Sequence, residues 1–307
     1  MRASVAAILI FALCAAIPVG AEVWGGSYLT GLVMRAMILA IAALSLDLLI
    51  GTSGLVSFGH AAFLGIGAYT AGIAITEGVT DLATILAVAV GLSALFALIT
   101  GAISLRTHGV TFIMITLAFG QMLFFTFQAL SDYGGDDGLT LWEQADAYGL
   151  FRLEHGLFYL ILVTLVGLWL LLGRLREARF GRVLLAAKVN ATRMETLGYN
   201  VFRYRLVAYV IAGVIAGIAG VLNANEAEFV SPAISAWQRS GDLIIVVILG
   251  GMGRRTGPVI GALAFVGLEE VLSSITHDWR LIFGPLLIVI VLFAKGGLAS
   301  IVEGRRA

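Results

Sequence analysis

A glycine-rich stretch at residues 51–72, GTSGLVSFGHAAFLGIGAYTAG, places two serines and a histidine in an otherwise apolar part of the chain. Ser53, Ser57 and His60 are residue types that support nucleophilic catalysis when a histidine activates a serine. An intramembrane serine protease needs that histidine within hydrogen-bond reach of its serine, and the spacing between Ser53 and His60 does not favour this geometry. The alternative, which we prefer, is a closely packed helix beside a transport path.

A second glycine-rich stretch, GGMGRRTG at residues 250–257, invites comparison with nucleotide-binding loops. The P-loop pattern G-x-x-x-x-G-K-[ST] fails, because the only lysines of the chain are Lys188 and Lys295. The dinucleotide pattern fails too, since Thr256 stands where its last glycine belongs. The sequence contains no H-E-x-x-H motif, and the single cysteine, Cys14, excludes a disulfide framework. We therefore expect no cofactor in this chain.

The composition places these motifs in a membrane. Hydrophobic residues make up 60% of the 307 residues, charged residues make up 12%, and the mean hydropathy is +1.01. Soluble domains have roughly a quarter charged residues, and a membrane helix needs about 20 apolar residues. We find ten apolar segments, near residues 3–20, 28–50, 54–75, 82–104, 109–130, 157–173, 206–225, 240–253, 257–275 and 281–302. The first segment also resembles a secretory signal, but it continues far enough to be a first membrane helix.

These segments predict an all-α, polytopic transmembrane helix bundle with about ten membrane segments (8–10). Residues 1–307 are expected to form one transmembrane domain. Residues 240–253 are too short to cross a bilayer at about 1.5 Å per residue. This segment either begins nearer Ala233 or is a half-helix that ends in a glycine-rich break, so one or two broken or half helices are expected.

The charges between the segments are distributed unevenly. Residues 131–156 carry six acids and one arginine, whereas residues 174–205 carry eight Lys or Arg and two acids. Short loops rich in Lys and Arg stay in the cytoplasm, so the second interval is predicted to be cytoplasmic and the first to lie outside. Alternation of the segments then places these arginines in the cytoplasm: Arg2, Arg106, Arg254, Arg255, Arg305 and Arg306. Both termini are therefore predicted to be cytoplasmic.

Small residues recur where helices are expected to pack. GTSG at 51–54 and GGMG at 250–253 each end an apolar run, which suggests an internal repeat, although chance similarity explains the pair equally well. Broken helices at membrane depth occur where protein or a water-filled cavity satisfies their backbone. Glycine lets membrane helices approach closely, and we expect this role for Gly65, Gly72, Gly213, Gly217 and Gly220.

Ionisable residues inside apolar segments are functional candidates, because charge is costly there. Asp47 lies about one turn from the cytoplasmic end of its segment, where an interfacial acid is the simpler explanation. Glu269 and Glu270 lie well inside theirs; one of them is expected to face the bundle, and the alternative is a position at the lipid rim near the outer surface. These acids do not form the buried chain that a proton relay needs, which argues against an ion-coupled carrier.

The basic interval 174–205 is also amphipathic. Apolar residues recur at helical spacing in Val183, Leu184, Ala187, Ala191 and Met194. The pattern predicts a cytoplasmic helix whose apolar face fits the groove of a protein partner. A helix lying on an anionic membrane surface has the same pattern, so both interpretations stay open.

Four stretches of the chain carry a family resemblance. They are SGLVSFGHAAFLGIGAYTAG; TFIMITLAFGQMLFFTFQ running into GGDDGL; GRVLLAAK followed by LGYNVFRYRLVAYVIAGVIAGIAGVL; and GGMGRRTGPVIGA. In order and spacing they resemble the permease subunits of branched-chain amino-acid ABC transporters, over about residues 30–295. The resemblance implies a multi-pass permease of the bacterial inner membrane, surrounded by lipid. Its partners would be a homologous second permease, two ATP-binding subunits that hold ATP and Mg, and a periplasmic substrate-binding protein; no nucleic acid is implied.

The resemblance also assigns roles to particular residues. Residues 131–156 would be a periplasmic loop, and residues 174–205 a cytoplasmic coupling loop. The residues that would couple to an ATP-binding subunit are Arg182, Lys188, Arg193 and Glu195. Where such permeases usually have Arg-Glu-Asn-Glu, this chain has KVNA at 188–191, so the polar details of docking are expected to differ.

A substrate path is implied beside the opening stretch, lined by Asp47, Ser57, His60, Thr116 and Gln121. Polar lining without strong charge suits a zwitterion that must be released again. The expected substrates are leucine, isoleucine and valine, with urea, short amides or aromatic acids as alternatives for the same architecture. An ion-coupled secondary transporter and an intramembrane enzyme are the competing classes.

Overall fold

Twelve α-helices make up most of the part of the chain that the structure describes. The structure is a computed structural model, and it describes residues 2–24, 27–145, 155–275, 278–293 and 296–300. The helices are α1 (Arg2–Trp24), α2 (Ser27–Asp47), α3 (His60–Thr76), α4 (Leu82–Ser104), α5 (Val110–Gln128), α6 (Gly156–Glu177), α7 (Arg179–Val189), α8 (Ala191–Thr196), α9 (Val201–Ala227), α10 (Trp237–Gly250), α11 (Gly257–Ile275) and α12 (Trp279–Phe293). The all-α class is confirmed.

Six helices are long and apolar enough to cross a membrane. They are α2 with its π-helical extension, α4, α5, α6, α9 and α11. Each of the ten predicted apolar segments overlaps a helix, but α3 and α10 have only 17 and 14 residues. The chain is therefore an integral membrane protein with a polytopic helix bundle, whereas the predicted count of about ten spans is not confirmed.

Two helices end inside the bundle at glycine-rich breaks. Helix α2 continues as a π-helical turn, Leu48–Ser53, and Gly54 then takes a left-handed φ of 71° that stops the helix. Residues 54–59 are not helical, and α3 begins at His60. Helix α10 begins at Trp237 and ends at Gly250, which fits a half-helix of about 21 Å at 1.5 Å per residue. The sequence predicted both breaks, at GTSG and at GGMG.

Helix α9 runs through the centre of the bundle, where it packs against α3 with almost no space between the backbones. A Cβ atom added to Gly67 of α3 would lie 1.9 Å from the carbonyl oxygen of Gly217 in α9. A Cβ atom added to Gly220 would lie 2.1 Å from the carbonyl oxygen of Leu64. The predicted role of these glycines of α9 in close helix packing is confirmed, and Gly67 is the matching residue on α3.

The acidic interval forms a small cap at one end of the bundle. Strands β1 (Leu139–Thr140) and β2 (Phe229–Val230) pair antiparallel there. The hydroxyl of Tyr133 donates a hydrogen bond to Glu77 at 2.9 Å, which raises the pKa of Tyr133. We call this the acidic end, and the opposite end, with α7, α8 and residues 251–256, the basic end. Residues 146–154 of the interval, and the predicted cytoplasmic Arg305 and Arg306, lie outside the described residues.

Candidate functional site

The two glycine-rich breaks meet at the basic end. Gly51, in the π-helical turn after α2, lies so close to the loop after α10 that an added Cβ would be 2.7 Å from Cα of Gly253. Gly253 itself has a left-handed φ of 73°, a conformation that glycine adopts without strain. We call this meeting point, together with Asp47, Arg176 and Lys188, the break junction.

Asp47 lies at the centre of the break junction and is fully buried. Its Oδ1 accepts a hydrogen bond from the backbone N–H of Gly253 at 2.8 Å, and its Oδ2 accepts one from Nη2 of Arg176. A buried carboxylate is tolerated when it is paired with a cation and its oxygens are hydrogen-bonded. The carboxylate thereby connects α2, α6 and the loop after α10, so the expectation of a simple interfacial acid is wrong.

Arg176 is the partner that sequence reasoning missed. It lies in the last turn of α6, its side chain is 14% exposed, and its Nη1 also donates to the carbonyl oxygen of Arg254 at 3.4 Å. Arg176 is one of eight basic residues in its interval, and the pairing joins residues that are 129 positions apart. The signal available in the sequence was a charge of each sign at the predicted cytoplasmic ends of two apolar segments.

Lys188 extends from α7 into the break junction. Its Nζ donates hydrogen bonds to the carbonyl oxygens of Ile50 at 3.1 Å and Gly51 at 2.9 Å. The last carbonyls of a helix lack partners within the helix, and a cation near them is favourable both as a donor and against the helix dipole. Lys188 therefore caps the broken end of α2 and ties α7 to it.

The apolar face of the basic interval is turned inward. Val183 and Ala187 of α7 pack with Met194 of α8 against Val201 at the start of α9. The sequence-based expectation that this face enters a partner's groove is therefore wrong, and so is the alternative of a lipid-facing apolar surface. Asn190 separates the two helices and caps α8, since its Oδ1 accepts a hydrogen bond from the N–H of Arg193 at 2.9 Å.

A different surface is exposed at the basic end. Arg182, Arg193 and Glu195, which were predicted to couple to an ATP-binding subunit, are all exposed there. Large apolar side chains are exposed on the same helices and the turn that follows them: Leu185, Val189 and Leu197. We call these six residues the basic-end patch. A mixed apolar and charged surface of this kind is typical of a protein contact.

Three of the five predicted path residues gather around the non-helical residues 54–59. Ser57 and His60 are fully buried, and Thr116 of α5 receives a hydrogen bond from the N–H of Phe58 at 3.3 Å. Gln121 lies farther along α5 and is half-buried. Asp47 belongs to the break junction. The assignment of these five residues to a substrate path stays a prediction.

The hydrogen bonds of His60 argue against the protease alternative. Nε2 of His60 is hydrogen-bonded to the hydroxyl of Ser45 at 2.7 Å, and the same hydroxyl lies 2.6 Å from the carbonyl oxygen of Ala42. Nε2 is therefore engaged with Ser45. Ser53 lies in the π-helical turn, and its buried Oγ has no hydrogen-bond partner among the described residues. The two residues are not arranged as a base and a nucleophile.

Comparison of the sequence with known proteins identifies its family. Residues 28–292 match the family described as branched-chain amino acid transport system, permease component. The chain is 27% identical to the high-affinity branched-chain amino acid transport system permease protein LivM of Escherichia coli K12, over 85% of this chain and 68% of that protein. It is also 26% identical to the ribose import permease protein RbsC of the same strain, over 85% and 83% of the two chains.

A further relative is the L-arabinose ABC transporter permease protein AraH of Azospirillum brasilense, which is 27% identical over 45% of this chain and 43% of that protein. No solved structure matches the chain. The matches agree on a permease and differ in the transported substance that their names give, so the transport role is better defined than the substrate.

Proposed function

The chain belongs to the family of permease components of branched-chain amino acid transport systems, and from this premise we propose that it is the membrane permease of an ATP-driven importer. The proposed substrates are leucine, isoleucine and valine, or a related small polar compound, delivered by a periplasmic substrate-binding protein. The chain would act in the bacterial inner membrane with both termini in the cytoplasm. It would have no ATP site of its own.

The observation that carries this proposal is the contact of Lys188 with the broken end of α2. The basic-end patch is exposed to a partner on α7 and α8, while Lys188 of α7 binds the carbonyl oxygens of Ile50 and Gly51. A partner that moves α7 would therefore act directly on a helix break inside the membrane domain. This is the connection that an importer needs when separate subunits hydrolyse ATP.

The proposed assembly follows from the two ends of the bundle. Two ATP-binding subunits would dock at the basic end, on this chain and on a homologous second permease, and bind ATP and Mg themselves. The binding protein would dock at the acidic end, where Trp142 is 92% exposed on the loop before the undescribed residues 146–154. Exposed aromatic side chains are common anchors of protein interfaces.

Sugar import is the second candidate, because ribose and arabinose permeases are among the relatives. Urea, short amides and aromatic acids are further candidates within the same architecture. An ion-coupled carrier is disfavoured because Asp47, the fully buried acid of the membrane segments described, is held by Arg176 and Gly253. A carboxylate that must bind and release a proton or sodium ion would need to leave both partners.

Uptake by the purified complex tests the proposal. The complex is isolated through a tag on this chain and reconstituted into vesicles with ATP inside and the binding protein outside. Labelled leucine is expected to accumulate only with ATP, and excess valine or isoleucine is expected to suppress it. Uptake driven by an ion gradient without ATP would contradict the proposal, and ATP-dependent accumulation of labelled ribose in place of leucine would move the substrate to the sugars.

Replacing Lys188 with methionine is expected to lower ATP-dependent uptake by about tenfold or more, since a charge-assisted hydrogen bond contributes about 1.5–3 kcal/mol. The side chain keeps its length and loses its ammonium group, so the cap on Ile50 and Gly51 is lost while α7 stays folded. ATP hydrolysis by the complex is expected to continue. The matched control is Arg106→Met, which removes an exposed charge from the turn between α4 and α5. Equal uptake in both variants would contradict the coupling role.

A further inference from the structure

A cavity opens between five helices in the half of the bundle nearer the acidic end. It has a volume of about 90 Å³ and is lined by side chains of α2, α3, α9, α10 and α11 and of the turn before α10. A single water molecule needs about 10–15 Å³ of such cavity volume, so the cavity has room for a small solute. It lies apart from the break junction, and none of the predicted path residues lines it.

The cavity carries charges of both signs. Nη2 of Arg35 donates hydrogen bonds to both carboxylate oxygens of Glu269, each at 3.1 Å, and joins α2 to α11. Arg239 and Asp242, one turn apart on α10, form a second pair at 3.8 Å. Asn223 of α9 adds an amide. Charged residues at membrane depth are rare, because they are costly there, and they mark substrate or ion paths by default.

The remaining wall of the cavity is apolar. Its side chains are those of Ile38, Leu39, Leu64, Leu243, Phe265 and Val266. Small-molecule sites combine such apolar walls with a few placed polar groups that fix orientation. The apolar side chains here lie beside a guanidinium and carboxylates. A ligand that fits therefore carries one positively charged group, one negatively charged group and an apolar part.

We propose that this cavity is an acceptor site for a zwitterionic α-amino acid with an apolar side chain. The ligand inserts between Arg35 and Glu269. Its carboxylate binds the guanidinium of Arg35, and its ammonium group binds the carboxylate of Glu269. The inference rests on the proposed import function and deepens it, since it names the place where the permease receives the substrate.

The exchange of partners explains how such a site both accepts and releases its ligand. Both protein charges are paired before and after binding, so the partly buried Glu269, whose side chain is 20% exposed, keeps a cationic partner in both states. Arginine suits the carboxylate, because its planar guanidinium binds carboxylates through two parallel hydrogen bonds. A neutral sugar has no charged group that replaces either member of the pair, so the cavity favours an amino acid over the sugars named among the relatives.

The competing explanation is that Arg35 and Glu269 only hold α2 and α11 together. The charge-swapped double variant Arg35→Glu/Glu269→Arg separates the two explanations. It restores an ion pair between the helices but places each charge where the ligand needs the opposite one. Leucine uptake and apparent melting temperature are measured on the reconstituted complex for this variant and for Arg35→Gln and Glu269→Gln alone.

We expect each single variant to lower leucine uptake at least about tenfold, from the loss of a hydrogen bond to a charged group. The double variant is expected to recover the melting temperature and not the uptake. Recovery of uptake in the double variant would overturn the proposal, and so would unchanged uptake in both single variants. The matched control is Glu270→Gln, because Glu270 is next in sequence and hydrogen-bonds to Tyr28 without lining the cavity; an equal loss in this control would also overturn it.

A variant without any charge change covers the case in which the swapped chain does not assemble. Leu39→Trp fills the cavity from a half-buried position on α2. The result expected is a fall in leucine uptake of at least about tenfold, with ATP hydrolysis of the complex retained; unchanged uptake would refute the site. The unmodified complex separates this inference from the proposed function, since a complex that never takes up leucine with ATP refutes the proposed leucine import itself.

Discussion

Replacing Asp47 with alanine is expected to destabilise the folded chain by about 3–5 kcal/mol, the usual cost of removing one partner from a buried ion pair. The variant leaves the guanidinium of Arg176 largely buried without its carboxylate, and it leaves the N–H of Gly253 without its acceptor. Both losses fall at the place where the two helix breaks meet. We therefore expect a lower apparent melting temperature in detergent and a lower yield of assembled complex.

A neighbouring ion pair supplies the matched control. Glu177 follows Arg176 directly and its side chain is 77% exposed. Its Oε1 lies 3.8 Å from Nη1 of Arg255. Surface pairs contribute about 0–1 kcal/mol, so Glu177→Ala is expected to leave the melting temperature nearly unchanged. Equal melting temperatures for Asp47→Ala and Glu177→Ala would show that the buried pair is not important for stability.

The double variant Asp47→Leu/Arg176→Leu then separates stability from transport. Replacing both members of a buried pair with apolar residues is often neutral or stabilising, so the double variant is expected to melt higher than Asp47→Ala. Its uptake is expected to stay low, because the carboxylate that connects α2, α6 and the loop after α10 is absent. Full uptake in a stable double variant would remove the break junction from the transport mechanism.

Features that depend on local patterns were predictable from the sequence. Hydrophobic runs gave the helices, and the glycines of GTSG and GGMG gave the two breaks, because glycine takes the left-handed conformations found at Gly54 and Gly253. The closeness of α9 to a neighbouring helix followed from the spacing of its small residues. The number of spans did not follow, since a run of apolar residues does not state how deeply a short helix such as α3 or α10 enters the membrane.

Features that depend on which helices become neighbours were not predictable. The apolar stripe of α7 was identified correctly, but periodicity cannot tell whether such a stripe faces a partner or the same chain, and here it faces Val201. The family resemblance assigned Lys188 to coupling together with Arg182 and Arg193, whereas its direction toward Ile50 and Gly51 depends on the path of the chain between α6 and α9. Arg35 was not singled out at all, because its carboxylate partner is 234 positions away.

The close approach of the α3 and α9 backbones predicts a second large effect, for Gly67→Ala. The added methyl group would lie 1.9 Å from the carbonyl oxygen of Gly217 and 3.0 Å from the backbone nitrogen of Val221, which are backbone atoms and cannot rotate away. Helices α3 and α9 must then separate. Overpacking usually costs about 1–3 kcal/mol, and we expect the upper end of that range because no flexible side chain can absorb the strain.

The consequence extends beyond stability, because α3 begins at His60, directly after the non-helical residues 54–59 that pack on α5. A shift of α3 therefore moves His60 relative to Ser45 on α2, whose hydroxyl it contacts at 2.7 Å. We expect Gly67→Ala to lower both the apparent melting temperature and the uptake per assembled complex.

The control for this variant is Gly91→Ala in α4, where an added Cβ meets no other atom within 4 Å. Alanine is favoured over glycine inside an open helix by about 1 kcal/mol, so this control is expected to melt at the same temperature or slightly higher. The two variants make the same chemical change in helices of the same bundle and differ only in what the methyl group meets. If both behave alike, the close approach of α3 and α9 is not what holds the broken helix in place, and the connection from α9 through α3 to residues 54–59 must be abandoned.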